Sequence, residues 1–254
     1  MTTKIKKERK HLLSIYYTAG YPYLDSTLSI AEELQKSGVN FLEIGFPYSD
    51  PVADGPTIQY SSQVALKNGM TLSVLFKQLQ SLRDKVQIPV FLMGYLNPVL
   101  QYGVENFLKS CQEVGIKGVI LPDMPLYAYE NEFKPLFEKY DISLVFLVTP
   151  QTSEERIRKI DRLSKSFIYL LSSNSTTGKH LNVDAETEAY FKRIGEMKLN
   201  APTIVGFGIS DKNSFENAVK HTNGAIIGSA FVKQLHNSDE YLKKIKPFIE
   251  EIKK

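Results

Sequence analysis

Residues 42–59 read Leu-Glu-Ile-Gly-Phe-Pro-Tyr-Ser-Asp-Pro-Val-Ala-Asp-Gly-Pro-Thr-Ile-Gln. The segment begins as an apolar strand, and successive side chains of a strand point to opposite faces. Leu42, Ile44 and Phe46 therefore share one face, while Phe41, Glu43 and Gly45 share the other. If the first face packs on helices, Glu43 projects into whatever the sheet encloses. A lone buried carboxylate is costly unless partners or a shifted pKa compensate, so folding alone rarely selects one. The strand then breaks into a loop with two further acids, Asp50 and Asp54, pinned by Pro47, Pro51, Gly55 and Pro56. Three carboxylates at the C-terminal end of one strand point to an acid/base site.

Outward from this strand, β-rich runs recur at a spacing of roughly 30 residues, the size of a strand–helix unit. They cover Leu13–Ala19, Asn40–Phe46, Pro89–Tyr95, Gly118–Pro122, Ser143–Thr149, Ser166–Ser172, Pro202–Gly208 and Gly224–Ser229. The segments between them carry helical periodicity: Ser26–Lys36 puts Leu28, Ile30, Ala31 and Leu34 along one stripe, and Phe107–Val114 repeats the pattern. Thr152-Ser-Glu-Glu reads as an N-cap with acids in the first helical turn, and Gly38, Gly115 and Gly195 fall where helices should end. Strands alternating with helices imply a parallel sheet, and eight such units favour closure into a (β/α)8 TIM barrel. No GxGxxG follows the first strand, against a dinucleotide-binding sheet. No linker or low-complexity tract divides the chain, so residues 1–254 are expected to form one domain.

Composition agrees. The 254 residues suit a barrel, which typically takes about 250. A 43% hydrophobic content supplies a core, and a net charge of +3 makes no case for nucleic acid. The single Cys111, on the apolar side of a helix, excludes an internal disulfide, and the four histidines fall in no metal-ligand spacing. The basic start, MTTKIKKERKHLL, lacks the apolar stretch of a secretory signal and is expected to form a short solvated helix. No window approaches the roughly 20 apolar residues of a membrane span. A soluble, cytoplasmic protein without a metal is the expectation. The Lys243–Lys254 segment, with Ile245, Phe248, Ile249 and Ile252 at helical spacing, should be the last barrel helix.

A second constellation lies near the C-terminus. Gly206-Phe207-Gly208 ends strand seven, and Gly228-Ser229 ends strand eight before an extra short helix, Ala230–Leu235. Glycine turns admit an anion close to the backbone, and a helix start offers free N–H groups. Such glycines also make plain tight turns, but two at adjacent strand ends match the recurrent phosphate site of this fold. Gly178, after strand six, could add another N–H. On strand six, alternation turns Tyr169 inward, where it either packs as core or offers its hydroxyl to Glu43.

At these residues the sequence closely resembles the α chain of tryptophan synthase. LEIGFPYSDPVADGPTIQ follows that family's signature almost throughout, and YYTAGYP, GFGIS and IIGSAFVK extend the likeness over nearly the whole chain. The resemblance implies a (β/α)8 barrel that cleaves indole-3-glycerol phosphate to indole and glyceraldehyde 3-phosphate, a retro-aldol reaction. Glu43 matches the acid/base residue, and Asp54 matches the residue that bonds the indole N–H as positive charge develops there. Alone, Asp54 beside Gly55 and Pro56 would read as a turn residue. By similarity, Tyr16 and Ile58 flank the indole ring, with Tyr16 where the family often has Phe. Gly178, Gly208, Gly228 and Ser229 hold the phosphate.

The loop after strand six departs from the pattern: many relatives have Arg-x-Gly-x-Thr-Gly, and here Ser173 and Ser175 replace the Arg and the first Gly while Thr177 and Gly178 remain. Thr177 is expected to bond Asp54 as that loop closes over substrate. The resemblance also implies a β chain carrying pyridoxal phosphate, docked in an αββα complex through Pro47, Asp50, Pro51 and Asn97; Asp50 alternatively caps its own loop. No cofactor is expected in this chain. Two other readings are a free-standing indole-releasing lyase, which the retained PYSDP opposes, and a weakly catalytic barrel that mainly activates its β chain.

Overall fold

In the computed structural model, residues 5, 8, 10–171, 185–206, 208–236 and 240–254 are described. Eight parallel strands close into a barrel in sequence order. They are β1 Leu12–Thr18, β2 Phe41–Gly45, β3 Val90–Met93, β4 Gly118–Ile120, β5 Ser143–Val148, β6 Ile168–Leu171, β7 Thr203–Gly206 and β8 Gly224–Ile227. All eight fall inside or within a residue of the runs read from the sequence, and helices follow them around the outside. Closure is direct: Leu12 pairs with Gly224 and Ser14 with Ile226.

Alternation along each strand divides the core in two. Leu42 and Ile44, with Phe46 beyond the strand end, join the layer between barrel and helices, together with Ile15, Tyr17, Leu92 and Leu170. Leu12, Phe41, Phe91, Phe167, Tyr169, Ile204 and Ile226 fill the barrel interior. Phe41, Phe91 and Phe167 form a three-ring floor there, with centroids 5.2–5.9 Å apart. Edge and tilted contacts of this kind add to the area each ring buries.

The helix Ser26–Lys36 has the bounds its periodicity indicates, burying Ile30, Ala31 and Leu34. Cys111 is buried in the helix Val104–Val114, which ends at Gly115 in the left-handed region. The helix Ile245–Lys253 buries Ile245, Phe248, Ile249 and Ile252. Two local readings need correction. Ser153, not Thr152, caps the helix Glu154–Leu163: its hydroxyl accepts from the Arg156 N–H at 3.3 Å. Thr152 instead accepts from the Thr149 N–H at 3.0 Å, a turn one residue earlier. Gly195 lies within the last turn of the helix Ala185–Glu196, and Lys198 takes the positive φ beyond it. The extra helix after β8 spans Ser229–Gln234. The N-terminal helix expected over residues 1–13 falls largely outside the described residues, and Leu12 and Leu13 already belong to β1. Among the described residues no helix is long and apolar enough to cross a membrane.

Candidate active site

Glu43 is the third residue of β2, level with Tyr16 on β1 and Phe91 on β3. It is fully buried, and neither carboxylate oxygen has a hydrogen-bond partner among the described residues. Burial pushes its pKa from 4.5 up to about 8. Burial removes water without supplying a donor, so a carboxylate there would be unsolvated and the neutral acid is favoured. The Tyr169 hydroxyl does not make the bond to Glu43 that its inward position suggested. Tyr169 does point inward and is buried, but its ring reaches over Gly206 instead. Burial, then the nearby Glu43 carboxylate, holds its phenol well above the ordinary value.

Asp54 lies on the loop beyond β2, half-buried. The Tyr95 hydroxyl donates to its Oδ2 at 3.1 Å and accepts from the Ala53 N–H at 3.1 Å, tying the loop to the end of β3. The Gln59 side-chain amide donates to the Asp54 carbonyl at 2.6 Å. Burial raises the Asp54 pKa while the Tyr95 hydrogen bond works against that rise. Tyr95 itself is pushed up to about 12 by burial, then by the Asp54 charge. The sequence reading passed over Tyr95, although alternation from Phe91 and Met93 places it on the same inward face.

Tyr16, expected beside the indole, stands on the inner face of β1. Its ring crosses Gly45, where a Cβ would lie 2.1 Å from the hydroxyl oxygen, so glycine is required at that close approach. A Cβ at Gly228 would lie 3.5 Å from the Tyr16 ring, so the two constellations are close neighbours. Gly208 has φ +77, a left-handed turn that suits glycine, and Gly228 and Ser229 open the short helix with both residues half-buried. Thr177, Gly178, Ser173 and Ser175 lie outside the described residues.

At the C-terminal end of the barrel opens a cavity of about 330 Å3, lined by Tyr16, the strand neighbour of Glu43, and by Asp54, Tyr95, Met93, Leu147 and Leu171 among others; Glu43 itself does not line it. Its walls are aromatic and aliphatic with a few polar groups, the character of a site for a planar apolar ligand with polar anchors. Ile58 is buried in the first turn of the helix Pro56–Lys67 and, like Glu43, is not among the residues that line the cavity. Thr149, Thr152 and Arg156 form the β5 side of the cavity and were not foreseen.

The expected docking residues cluster on the same end of the barrel. Asp50 and Asn97 are exposed, and Pro47 and Pro51 are half-buried. Asp50 accepts from the Ser49 hydroxyl at 2.5 Å, and Asn97 donates to the Tyr48 hydroxyl at 3.3 Å. Tyr48 packs on Tyr95 with ring centroids 5.4 Å apart, which joins Asn97 to the Asp54 network. Val52, Leu100 and Tyr127, on segments after β2, β3 and β4, are exposed apolar side chains at 80%, 48% and 75%. Among the described residues no three His, Cys, Asp or Glu side chains group as a metal site.

The sequence model described as tryptophan synthase alpha chain matches residues 2–254. The tryptophan synthase alpha chain of Flavobacterium johnsoniae is 53% identical over 253 residues, 100% of this chain and 99% of that protein. Among solved structures, the tryptophan synthase alpha chain of Legionella pneumophila superposes with a TM-score of 0.86 at 29% identity, covering 96% of this chain and 90% of that one. A chain of the Pyrococcus furiosus tryptophan synthase complex gives 0.86 at 33% identity, with 96% and 98% covered.

Proposed function

The chain belongs to the tryptophan synthase alpha chain family, and from that premise we propose that it acts as a carbon–carbon lyase on indole-3-glycerol phosphate. The observation that carries this reading is Glu43: a fully buried carboxyl with no hydrogen-bond partner among the described residues, kept protonated near neutrality, whose strand neighbour Tyr16 lines a cavity that a second acid, Asp54, also lines. Folding gains nothing from such a group, and proton transfer needs it.

In the proposed reaction, Glu43 gives its proton to indole C3, and the ring nitrogen takes the positive charge of an indolenine. The C3–C bond then breaks, its electron pair returning to the ring. The hydroxyl that becomes the aldehyde loses its proton to Glu43, which restores the acid. Asp54 faces the indole N–H and stabilises the developing charge, with Tyr95 holding Oδ2 so that Oδ1 meets the substrate. Tyr16 stacks against the indole, and Gly208, Gly228 and Ser229 hold the phosphate, the glycines admitting it to backbone N–H groups.

The docking face argues for a β-chain partner. Val52, on the loop that carries Asp54, is exposed and apolar, as are Leu100 and Tyr127 on the segments after β3 and β4, and Asn97 bonds Tyr48 of that loop. A partner seated there would fix Tyr48 and Tyr95, and through them Asp54. The proposed assembly is an αββα complex in the cytoplasm, with pyridoxal phosphate in the β chain and no cofactor in this one.

Indole release from indole-3-glycerol phosphate, for wild type and Glu43→Gln with and without a β chain, tests the reading. Release that requires Glu43 and rises with the β chain supports it. A wild type that stays inactive with its β chain would overturn the lyase assignment and leave an activator of the β chain.

A further inference from the structure

The cavity lined by Tyr16, Asp54 and Tyr95 has a marked charge asymmetry. Asp54 lines it on the β2 side, and the only cation lining it among the described residues is Arg156, on the opposite β5 side. Arg156 sits in the first turn of the helix Glu154–Leu163, which starts at the catalytic end of the barrel. Its backbone N–H is committed to the Ser153 cap. Neighbouring arginines are tethered: Arg158 donates to the Met197 carbonyl at 3.4 Å and Arg193 to the Pro150 carbonyl at 2.9 Å. Arg156 has no such tether and no ion pair among the described residues, although Glu154 and Glu155 flank it in sequence. It is exposed to solvent and lines the cavity at once, which places the guanidinium at the mouth.

We propose that Arg156 is a substrate-binding residue that draws the anionic phosphate ester to the mouth of the cavity and offsets the repulsion of Asp54, while Gly208, Gly228 and Ser229 hold the phosphate. This rests on the lyase reading above. A dianion approaching the mouth meets an unscreened carboxylate behind it, and a cation at the entrance offsets that repulsion over several ångströms. Arginine suits the role because its charge is never lost and its long side chain carries that charge to the mouth. Thr149 and Thr152, on the same wall, keep that side of the mouth polar.

The experiment compares wild type, Arg156→Gln and Arg156→Lys in binding indole-3-propanol and its phosphate ester, together with kcat/KM for indole-3-glycerol phosphate at low and high salt. Arg156→Gln should weaken the phosphate ester about fivefold at low ionic strength and leave the neutral alcohol unaltered, with the kinetic loss falling on KM. The difference should shrink below about twofold near 0.5 M salt, where screening acts within a few ångströms. Arg156→Lys should recover most of the loss. Equal weakening of both ligands, a loss independent of salt, or no loss overturns the proposal, as does a wild type that binds the ester no better than the alcohol. A wild type that binds the ester selectively yet releases no indole would instead refute the lyase reading, and the binding comparison would still decide the role of Arg156.

Discussion

Glu43→Gln removes an ionisable group while keeping its volume, and the structure sets opposite expectations for activity and stability. The folded-state pKa is raised to about 8 from an ordinary 4.5. Below pH 4.5 the carboxyl is protonated in both folded and unfolded chains, and the group costs nothing through ionisation. Between 4.5 and 8 the folded protein holds a proton that the unfolded chain has released, so stability falls as pH rises. At about 1.4 kcal/mol per unit, wild type loses roughly 3 kcal/mol by pH 7 and levels off at a loss of roughly 5 kcal/mol above pH 8. Glutamine does not titrate, so the variant escapes this loss. Its stability relative to wild type should therefore climb from pH 5 to pH 8.5 while its indole release falls at least about a hundredfold.

Urea unfolding of both proteins at pH 5, 7 and 8.5 reads the first effect, followed by circular dichroism or tyrosine fluorescence because the chain contains no tryptophan. A stability gap that stays constant over that range would refute the reasoning, since Glu43 would then find water or a donor on ionising. The rate carries the same signature. If the reaction starts from protonated Glu43, kcat/KM should decline as pH passes about 8.

Three further substitutions probe the surrounding framework. Tyr95→Phe removes the hydroxyl that links Asp54 Oδ2 to the Ala53 N–H, and should cost about 1 kcal/mol of stability and about tenfold in indole release; an unchanged rate would show that Asp54 needs no such hold. Gly45→Ala drives a methyl to 2.1 Å from the Tyr16 hydroxyl and should destabilise by about 1–3 kcal/mol in thermal unfolding, with Tyr16→Leu in the same chain relieving the loss. Asp161→Ala deprives the Asn200 and Ala201 N–H groups of an acceptor at 2.8–2.9 Å, and should cost roughly 2–4 kcal/mol in urea unfolding while the rate per folded molecule holds.

The barrel was legible because a parallel sheet covered on both faces writes its strands as short apolar runs bounded by glycine and proline. The ends were less so. Phe46, Tyr95 and Thr149 continue the pattern, yet a strand stops where its neighbour leaves the ladder, and that is a property of two segments. The inward face of β2 followed from alternation alone, and the same rule applied to β3 would have found Tyr95. Arg156 left no comparable trace: an arginine in the first turn of a helix reads as a solvated charge, and only the packing of that helix on the barrel turns it toward the cavity.

Two carboxyl groups from one short segment, both raised in pKa by burial, thus meet different surroundings. Glu43, on the strand itself, stands level with Phe91 of the phenylalanine floor, with no hydrogen-bond partner among the described residues. Asp54, past the strand end, sits at a half-buried position with a tyrosine hydroxyl bonded to it. The first environment favours the neutral acid, and the hydrogen bond in the second works to keep the anion. A reaction that moves a proton from one carboxyl while building positive charge beside the other needs that division. It also fixes how the site should fail. A donor introduced beside Glu43 would lower its pKa and remove the acid from neutral solution, whereas loss of the Tyr95 hydroxyl would raise the pKa of Asp54 and weaken the anion. The first variant should shift the alkaline limb of the pH–rate profile downward, and the second should move the acid limb upward. Two limbs that moved together would mean that the carboxyl groups titrate as one unit, and separate roles could not be assigned to them.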